Sequence, residues 1–412
     1  MSVLWSTDAM SDAMNAERAG KLPAGISGIS IDSRSLGRGD AFFAIQGDNR
    51  DGHDFVEAAL KAGAGLAVVA NRERQRFAGA PLLIVNDVLE GLRGLARAGR
   101  ARLHGKVIAV TGSVGKTTTK EALRLALSAD GETHASIASY NNHWGVPLSL
   151  ARCPASVKYA VFEIGMNHAG EITPLTKLAR PHVAVITAIE PVHLEYFGTI
   201  EKIADAKAEI FAGVEPGGAA VLNRDSAQYA QLADAARLAG IKRIVSFGEH
   251  KEADARPLRI SLQADSSTVE ASILRQSVTY KLGMPGRHIA LNSLAVLAAA
   301  SLAGADLALA ALALANLKPP SGRGTRCTLT VPGGTALLID ESYNANPASM
   351  RAAIALLAEA PIGQQGRRIA ILGDMLELGP QGGELHRALA NVIAEMGIDL
   401  VFCSGPLMHH LW

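Results

Sequence analysis

The sequence predicts an α/β protein of three domains. At residues 106–120 an apolar run of β-branched residues leads through a glycine-rich loop into a helical pattern. Strand-like and helix-like segments alternate on both sides of that point, which favours a mostly parallel sheet covered by helices. A chain of 412 residues is also too long for one ordinary hydrophobic core. We place the domains at 1–104, 105–317 and 318–412.

The N-terminal domain is predicted to be a small α/β unit. Short apolar runs alternate there with polar turns and with one amphipathic segment, as expected for strands packed against helices. The predicted strands lie at 28–34, 40–45, 66–70 and 82–85, and the predicted helices at 54–64 and 88–104. The first strand ends in Asp32, Ser33 and Arg34, which on this pattern alone form an ordinary polar turn.

The central domain begins with a loop suited to phosphate. Its residues are Gly112, Ser113, Val114, Gly115, Lys116, Thr117 and Thr118. Glycines allow backbone N–H groups to point at an anion, and the N-terminus of the following helix adds partial positive charge. We therefore expect Lys116 to reach the terminal phosphates of a nucleoside triphosphate and the Thr117 hydroxyl to bind Mg²⁺. A plain glycine turn before a helix is the weaker alternative, because Lys and Thr directly follow the second glycine.

The rest of the central domain continues the alternation of strands and helices. Strands are predicted at 158–164, 183–189, 219–222 and 241–247, followed by an antiparallel hairpin of period two at 258–282 and by helices at 287–303 and 306–317. The stretch 289–317 is nearly free of charge and long enough to cross a bilayer. Asn292, Gly304 and a capping Asp306 favour two packed helices of a water-soluble domain instead.

The C-terminal domain follows a stiff polar break at 318–322. Strands are predicted at 336–340, 368–372 and 400–403 and helices at 350–358 and 384–396, which indicates a small doubly wound, Rossmann-like unit. The chain ends just after the third of these strands, so we expect this domain to be shortened.

Composition narrows the functional class. The chain is 48% apolar and 19% charged, which is typical of a globular protein. Its net charge is +1, with acids and bases mixed throughout, so we expect no nucleic acid as a partner. The three cysteines are scattered, without metal or disulfide spacing, and the N-terminus carries no signal-peptide pattern. We therefore expect a cytoplasmic monomer without stable membrane insertion.

Two side chains at predicted strand ends are candidate metal ligands. Glu163 lies near the carboxyl end of its strand, where α/β sheets gather ligands, although a solvated acid is the alternative. His193 follows the next strand. A lone histidine there is more often structural, but it leaves the same edge of the sheet as Lys116 and Glu163, and we favour a ligand.

Lys207 occupies an unexpected position. It shares an apolar helix face with Ile203, Ile210 and Phe211. Burial would lower its pKa, and a neutral amine can react with CO₂ to form a carbamate, an oxygen ligand like a carboxylate. A lysine that extends to the surface and pairs with Glu209 or Glu163 is an equally good interpretation of the spacing.

Three further residues could contact a nucleotide from outside the loop. Asn292 could bind an adenine edge or merely stabilise a helix start. Arg323, flanked by glycines, could swing onto a γ-phosphate. Asp340 follows a strand and precedes a helix, where such a sheet presents ligand groups. Groups on separate domains suggest a cleft that closes on nucleotide.

Five motifs occur in order along the chain, at 111–118, 140–147, 163–172, 205–211 and 340–347. Together they resemble the Mur ligases of bacterial cell-wall synthesis, with the likeness running from about residue 29 to the C-terminus. The motif Asn-Ala-Asn-Pro at 344–347 resembles the corresponding region of the family member that adds D-alanyl-D-alanine to UDP-N-acetylmuramoyl-tripeptide. The tripeptide-making member carries Asp-Asn-Pro-Arg in the comparable region.

The resemblance implies an ATP-dependent ligase that uses Mg²⁺ and forms an amide bond through an acyl phosphate. It implies a carbamylated Lys207, and Mg²⁺ ligands at Glu163 and His193 beside Thr117. Lys116 and Arg323 would neutralise phosphate charge. It further implies nucleotide contacts and domain closure by Asn292, Arg323 and Asp340, and a site for the UDP-sugar-peptide at Asp32, Ser33, Arg34, Asn141 and Asn142.

Two alternatives stay open from the sequence. One is a related ligase that uses a different amine or a folate-type substrate. The other is a nucleotide-binding protein without turnover, because family members usually continue beyond the third strand of the C-terminal domain into a glycine-rich segment.

Overall fold

The sheets of the protein fall into three successive stretches of the chain. The computed structural model describes residues 3–47, 49–363 and 366–412. Within them, the N-terminal strands lie at 5–85, the nine strands of a large central sheet at 106–282 and the C-terminal strands at 325–404. The domain boundaries near 104 and 317 stay a prediction, although both fall between sheets.

The N-terminal region forms a five-stranded sheet and a small two-stranded one. Its elements are β1 (Trp5–Ser6), α1 (Thr7–Met14), β2 (Glu17–Ala19), β3 (Gly25–Ile26), β4 (Ile29–Ser30), β5 (Ala41–Phe43), α2 (Val56–Lys61), β6 (Leu66–Ala70), β7 (Leu82–Val85) and α3 (Val88–Ala101). Strands β4 to β7 are parallel neighbours, and β2 pairs antiparallel with β7. The predicted strands at 66–70 and 82–85 are confirmed.

The predicted strand at 28–34 is too long, because a tight turn interrupts it. The Ser30 hydroxyl accepts a hydrogen bond from the Asp32 N–H at 3.1 Å, and the Asp32 carboxylate accepts one from the Arg34 N–H at 2.9 Å. Side chains that bond to nearby backbone in this way compete with strand pairing. The strand therefore stops at Ser30, and the turn follows its carboxyl end.

The central region contains the large sheet and its covering helices. Its elements are β8 (Lys106–Thr111), α4 (Lys116–Ser128), β9 (Thr133–Ala135), α5 (Gly145–Ala151), β10 (Tyr159–Glu163), α6 (Ile172–Ala179), β11 (Val183–Ile186), α7 (Leu194–Phe197), α8 (Ile200–Ala208), β12 (Ala219–Asn223), α9 (Tyr229–Leu238), β13 (Arg243–Phe247), β14 (Ala255–Leu262), β15 (Ser267–Ile273), β16 (Gln276–Leu282), α10 (Arg287–Leu302) and α11 (Leu307–Ala313).

Strand β8 lies inside this sheet, whose order is β16-β15-β14-β13-β12-β11-β8-β10-β9. The strands from β9 to β14 pair in parallel, and β14 to β16 are antiparallel. After β8 the chain adds β9 and β10 on one side of β8 and then adds β11 on the other side. The carboxyl ends of β10, β8 and β11 are therefore adjacent, with Glu163 opposite Val110 and Ile186 opposite Thr111. Ligands bind at such switch points of parallel sheets.

Both faces of the sheet are covered, and β8 contributes to each of them. Ile108 and Val110 belong to a core with α4 and α10, whereas Val107 and Ala109 belong to a core with α5, α6, α8 and α9. Side chains of a strand alternate between faces, so a strand buried on both sides is apolar throughout. This packing fixes where the loop after β8 starts.

The period-two segment forms three strands, β14 to β16, where a hairpin of two was predicted. Strand β14 also pairs with β13, so the meander extends the main sheet.

The long apolar stretch near the end of the central region is two helices, α10 and α11, as predicted. The Asp306 carboxylate accepts a hydrogen bond from the Leu309 N–H at 2.9 Å and caps α11. In the described part of the chain, no helix has the length and apolar character needed to cross a membrane.

The C-terminal region carries less regular pairing. Its elements are β17 (Thr325–Val331), β18 (Gly334–Asp340), α12 (Pro347–Glu359), β19 (Ile369–Gly373), α13 (Gly382–Arg387), α14 (Leu389–Glu395) and β20 (Leu400–Ser404). The three predicted strands are present, but they do not form one unit. Strand β18 pairs with β17, which was not predicted, and β19 pairs in parallel with β20. Among the described strands these pairs form two separate sheets.

Candidate active site

The glycine-rich loop connects β8 to α4, and the structure leaves no room for a side chain at Gly112 or Gly115. Gly112 has φ +144° and Gly115 has φ +82°. A Cβ atom at Gly112 would lie 2.0 Å from the Thr187 Oγ1, and one at Gly115 would lie 2.7 Å from the Asn292 Nδ2. Only glycine therefore fits both the backbone and the space here.

The backbone of this loop is available to an anion. Within residues 3–47, 49–363 and 366–412, the N–H groups of Gly115, Lys116 and Thr117 have no hydrogen-bond partner in the backbone. Groups of this kind at a helix N-terminus are a ready site for phosphate. The Lys116 ammonium folds back over the loop and donates to the carbonyls of Gly112 at 2.7 Å and Ser113 at 3.1 Å.

Lys116 lies among other charged groups. Burial lowers the pKa of its ammonium, with the Glu163 carboxylate opposing the shift and the Arg323 guanidinium adding to it. The next residue, Thr117, is buried, and its hydroxyl lies 3.2 Å from the Ser139 Oγ. The sequence therefore placed this lysine and this hydroxyl correctly in one loop, and the fold brings an acid and an arginine to them.

A cleft of about 730 Å³ opens in front of the loop, between the central and C-terminal regions. The central region contributes Ser113 to Thr118, His288 and Asn292, and the C-terminal region contributes Arg323, Glu341, Tyr343, Asn344 and Arg351. The Arg323 guanidinium lies 4.1 Å from the centre of the Tyr343 ring. Asn292 and Arg323 thus line the same cleft as the glycine-rich loop, as predicted.

Asp340 does not line this cleft, contrary to the expectation from the sequence. Its carboxylate accepts a hydrogen bond from the Ser342 N–H at 3.0 Å and closes the turn after β18. The adjacent Glu341 lines the cleft instead, beside Arg323. Burial raises the pKa of Glu341 to about 7, with Arg323 opposing the shift and Asp340 adding to it. Neighbouring residues at a strand end point in different directions, and a nucleotide contact by Asp340 stays a prediction.

Glu163 is a buried carboxylate with one oxygen unsatisfied. It is 1% exposed, and its Oε1 accepts a hydrogen bond from the Asn141 Nδ2 at 2.8 Å. Its Oε2 is buried without a partner among the described residues. A buried carboxylate oxygen left in this state is costly unless a cation or a donor binds there.

Lys207 is buried in α8, with 1% of its surface exposed. Burial lowers the pKa of its ammonium well below the usual value, the Lys116 charge adds to the shift, and Glu171, Glu209 and Glu163 oppose it. The alternative of a lysine paired with Glu209 or Glu163 is not observed. Glu209 instead accepts hydrogen bonds from the Gly170 and Thr173 backbone and from the Thr173 hydroxyl, and Glu163 binds Asn141.

His193 lies in the loop after β11 with φ +56°. Its Nδ1 contacts the Glu377 carboxylate of the C-terminal region. Burial lowers the pKa of the imidazole, Glu377 opposes the shift, and the positive charges of Lys207 and Lys116 add to it. Lys116 and Lys207 therefore interact electrostatically with each other, and each of them interacts with Glu163 and with His193.

The described chain contains no cluster of three or more His, Cys, Asp and Glu side chains that could hold a metal ion by themselves. A metal site at this end of the sheet would therefore need ligands of other kinds. The Thr117 hydroxyl and a carbamate on Lys207 are the groups available beside Glu163 and His193.

The residues expected to hold the sugar-peptide lie on two loops. Asp32 and Arg34 form an ion pair with 2.7 Å between the Arg34 Nη2 and the Asp32 Oδ2, in the turn that also contains Ser33. The Arg34 hydrogen bonds lower the pKa of Asp32 to about 2. Asn141 binds Glu163, whereas the Asn142 Oδ1 accepts from the N–H of Gly145, the first residue of α5, at 2.9 Å.

A second cleft, of about 450 Å³, was not predicted. It lies at the carboxyl ends of β5, β6 and β7 and is lined by His53, Arg72, Asn86 and Asp87 among others. The buried His53 ring accepts a hydrogen bond from the Ala70 N–H at 3.0 Å, and its Nδ1 lies 2.6 Å from the Asp51 Oδ1. The sequence signal that could have indicated this cleft is a set of three adjacent parallel strands that end at the same edge.

Comparison with known proteins identifies the family. The Mur ligase family, catalytic domain, matches residues 25–100, the Mur ligase middle domain matches 110–300, and the Mur ligase, glutamate ligase domain, matches 326–411. A UDP-N-acetylmuramoyl-tripeptide--D-alanyl-D-alanine ligase from Rickettsia prowazekii is 32% identical over 410 residues, which covers 100% of this chain and 89% of that protein. The chain belongs to the Mur ligase family. It is thus a ligase that forms a carbon–nitrogen bond, as the sequence predicted.

Solved structures resemble this Mur ligase along nearly its whole length. Crystal structure I of MurF from Acinetobacter baumannii matches it with a TM-score of 0.84 and 33% identity, covering 98% of this chain and 87% of that one. MurF ligase from Thermotoga maritima, solved in complex with ADP, matches with a TM-score of 0.76 and 28% identity, covering 93% and 86%. The predicted fold class of three α/β units is confirmed by these similarities.

Proposed function

We propose that this Mur ligase joins D-alanyl-D-alanine to UDP-N-acetylmuramoyl-tripeptide, with cleavage of ATP, during the cytoplasmic synthesis of peptidoglycan precursors. The single observation that carries the proposal is identity of 32% to 34% with ligases named for these substrates, along 97% to 100% of the chain. The cleft in front of the glycine-rich loop supplies the chemistry that such a reaction needs.

The nucleotide would bind in that cleft. Its phosphates would lie on the N–H groups of Gly115, Lys116 and Thr117, where backbone dipoles favour negative charge. We assign the Lys116 ammonium and the Arg323 guanidinium to the γ-phosphate, because they approach from the central and C-terminal sides. Asn292, in contact distance of the loop, is the proposed adenine contact.

Mg²⁺ fits the donor set at the carboxyl ends of β8, β10 and β11. The residues that would hold it are Thr117, Glu163, His193 and a carbamylated Lys207. The unsatisfied Glu163 Oε2 and the burial of Lys207 are the observations that support this fit. When bound, the ion would supply positive charge against the phosphate oxygens.

The reaction would proceed in two displacements. An oxygen of the substrate carboxylate attacks the γ-phosphorus, the bond from that phosphorus to the bridging oxygen breaks, and ADP leaves. The amine nitrogen of D-alanyl-D-alanine then attacks the acyl carbon, the bond from that carbon to the phosphate oxygen breaks, and the amine loses a proton. Lys116 and Arg323 hold the transferred phosphoryl group in place, because positioning and fixed charge dominate such transfers.

Substrate omission tests this proposal. We expect phosphate release from ATP only when UDP-N-acetylmuramoyl-tripeptide and D-alanyl-D-alanine are both present, and a product whose mass equals the sum of the two minus water. Release that is absent with D-alanyl-D-alanine and appears with another amine would identify a ligase for a different amine. Stabilisation by ATP without phosphate release in any mixture would identify a binding protein without turnover.

A further inference from the structure

The C-terminal region reaches into the candidate metal site through one carboxylate. Glu377 contacts the Nδ1 of His193, which precedes it by 184 residues in the chain. The His193 side chain is partly buried, with 24% of its surface exposed, and the Glu377 side chain is exposed, at 42%. Nothing in the sequence pattern of either segment indicates this pairing.

Glu377 belongs to a short segment, Met375–Gly379, that is fixed from two sides. On the C-terminal side, the fully buried His386 accepts a hydrogen bond from the Met375 N–H at 3.0 Å, and its Nδ1 donates to the Gly382 carbonyl at 2.6 Å. On the central side, the Glu195 N–H donates to the Glu377 carbonyl at 3.3 Å. The segment is therefore held against the residues that directly follow His193.

A carboxylate at one ring nitrogen of histidine determines what the other nitrogen can do. With Glu377 on Nδ1, that nitrogen carries the proton and the Nε2 lone pair is available to a metal. The same contact fixes the rotation of the ring. The contact thus favours the tautomer that a metal ligand requires and holds the ring in one rotation.

We propose that Glu377 is a positioning residue for His193, supplied by the C-terminal region to the metal site of the central region. The site then reaches full affinity only while the segment Met375–Gly379 is docked as it is here. The inference rests on the proposed role of His193 as a Mg²⁺ ligand. It adds a residue that acts through another and never touches the ion or the nucleotide.

A plain ion pair between domains is the competing explanation, and the chain offers one for comparison. Arg351 of α12 lies 4.0 Å from Glu190, in the same loop as His193. Such a contact would hold the regions together without any effect on a metal. Metal affinity therefore separates a positioning role from a purely structural one.

The experiment measures Mn²⁺ binding to the full chain by electron paramagnetic resonance of the free ion, with a non-hydrolysable ATP analogue at saturation. We expect Glu377→Ala to raise the Kd for Mn²⁺ by about 10- to 100-fold. Glu377→Gln keeps an oxygen acceptor for the Nδ1 proton and should restore most of the affinity. Glu384→Ala, which removes an exposed glutamate of α13, is the matched control and should leave the Kd unchanged.

His193→Ala separates the two levels of the proposal. If His193→Ala weakens Mn²⁺ binding and Glu377→Ala leaves the Kd within twofold of the wild-type value, the positioning role is wrong and the metal site stands. If neither variant weakens binding, the metal site and the positioning role are both wrong. Equal loss in Glu377→Ala and Glu377→Gln would also contradict positioning through an accepted hydrogen bond.

Discussion

The central and C-terminal regions hold the two sides of one cleft by different means. On the central side, the loop 112–118 and Glu163 come directly from strands whose register is fixed by neighbours on both sides. Both faces of those strands are buried. The positions of these groups therefore follow from the packing of a nine-stranded sheet.

On the C-terminal side, the groups come from loops beside two-stranded sheets. Arg323 is held by local hydrogen bonds, from the Gly324 N–H to the Asp340 carbonyl at 2.9 Å and from the Tyr343 N–H to the Gly322 carbonyl at 3.1 Å. The strands nearby are more exposed to solvent, and Ile371 of β19 is 75% exposed. The contacts of this region with the central one include single side-chain pairs such as Glu190 with Arg351.

The difference teaches which half of the site is preformed. A sheet buried on both faces resists displacement, because moving one strand disrupts its packing. A lobe joined by separate polar pairs and by the packing of Leu385 on the central core can move at smaller cost than a strand of the sheet, which suits closure on a nucleotide. Changes to buried groups on the central side should therefore change global stability, and changes on the C-terminal side should have milder, local effects on stability.

The largest effect is expected for Lys116→Ala, which removes a fixed positive charge from the centre of the cleft. We expect kcat for phosphate release to fall by about 10²- to 10³-fold, as for the loss of one fixed group that stabilises transferring charge. Among the described residues the ammonium bonds to the loop carbonyls alone, so the unfolding temperature should hardly change. Wild-type turnover in this variant would show that the loop does not carry the reaction.

Lys120→Met tests how strongly the central side is fixed. This fully buried lysine of α4 donates to the carbonyls of Ser136 and Ala138, each at 2.7 Å, and lies 2.9 Å from the Glu121 Oε1. Its loss leaves the buried Ser136 carbonyl and the part-buried Ala138 carbonyl without this donor, and we expect the free energy of unfolding to fall by about 2–3 kcal/mol. The measurement is a denaturation curve, and Lys106→Met, at an exposed lysine, should change stability by at most about 0.5 kcal/mol.

Lys207→Met should change stability and activity in opposite directions, which separates the two roles of a group on the central side. The pKa of Lys207 is lower in the folded chain than in the unfolded chain. At pH values between these two pKa values, the unfolded chain binds a proton that the folded chain does not. Stability of the wild type therefore rises with pH through that window and is reduced below it. In CO₂-free buffer at neutral pH, we expect Lys207→Met to raise the free energy of unfolding by about 1–2 kcal/mol and to abolish ligation.

The pH dependence provides the check on Lys207. Across that window the wild type should gain stability as the pH rises, and the variant should lack this contribution. A variant that is less stable than the wild type at neutral pH, or one that retains ligation, would contradict a neutral, functional lysine at this position.

The smallest effect is expected for Asn346→Ala in the C-terminal region. The Asn346 side chain accepts from the Ala348 N–H at 3.1 Å and the Ser349 N–H at 2.9 Å, and the Ser349 hydroxyl accepts from the Asn346 N–H. Loss of such a cap costs about 1 kcal/mol. Hydrogen exchange should increase in α12 and stay unchanged in β8 and β10, whereas increased exchange throughout would show that the two regions unfold as one unit.

Sequence patterns predicted those parts of the fold that depend on residues close together in the chain. The glycine-rich loop was found because its strand, its glycines and its helix start are contiguous. Glu163 and His193 were predicted as ligands because polar residues at the ends of consecutive parallel strands meet at one edge, and their ligand role stays a prediction. The unpredicted strand β17 and the misplaced end of the strand at 28–34 depend on turns, where side chains compete with backbone pairing.

The sequence by itself determined the fold class, the phosphate loop and the candidate ligands, because each of these is encoded in residues that are close together in the chain. Only the tertiary structure decided that Glu341 and not Asp340 lines the cleft, that Lys207 lies buried without Glu209 or Glu163 as a partner, and that Glu377 meets His193. Those facts depend on how distant elements dock, and docking is set by packing and hydrogen bonds that no short stretch of sequence contains.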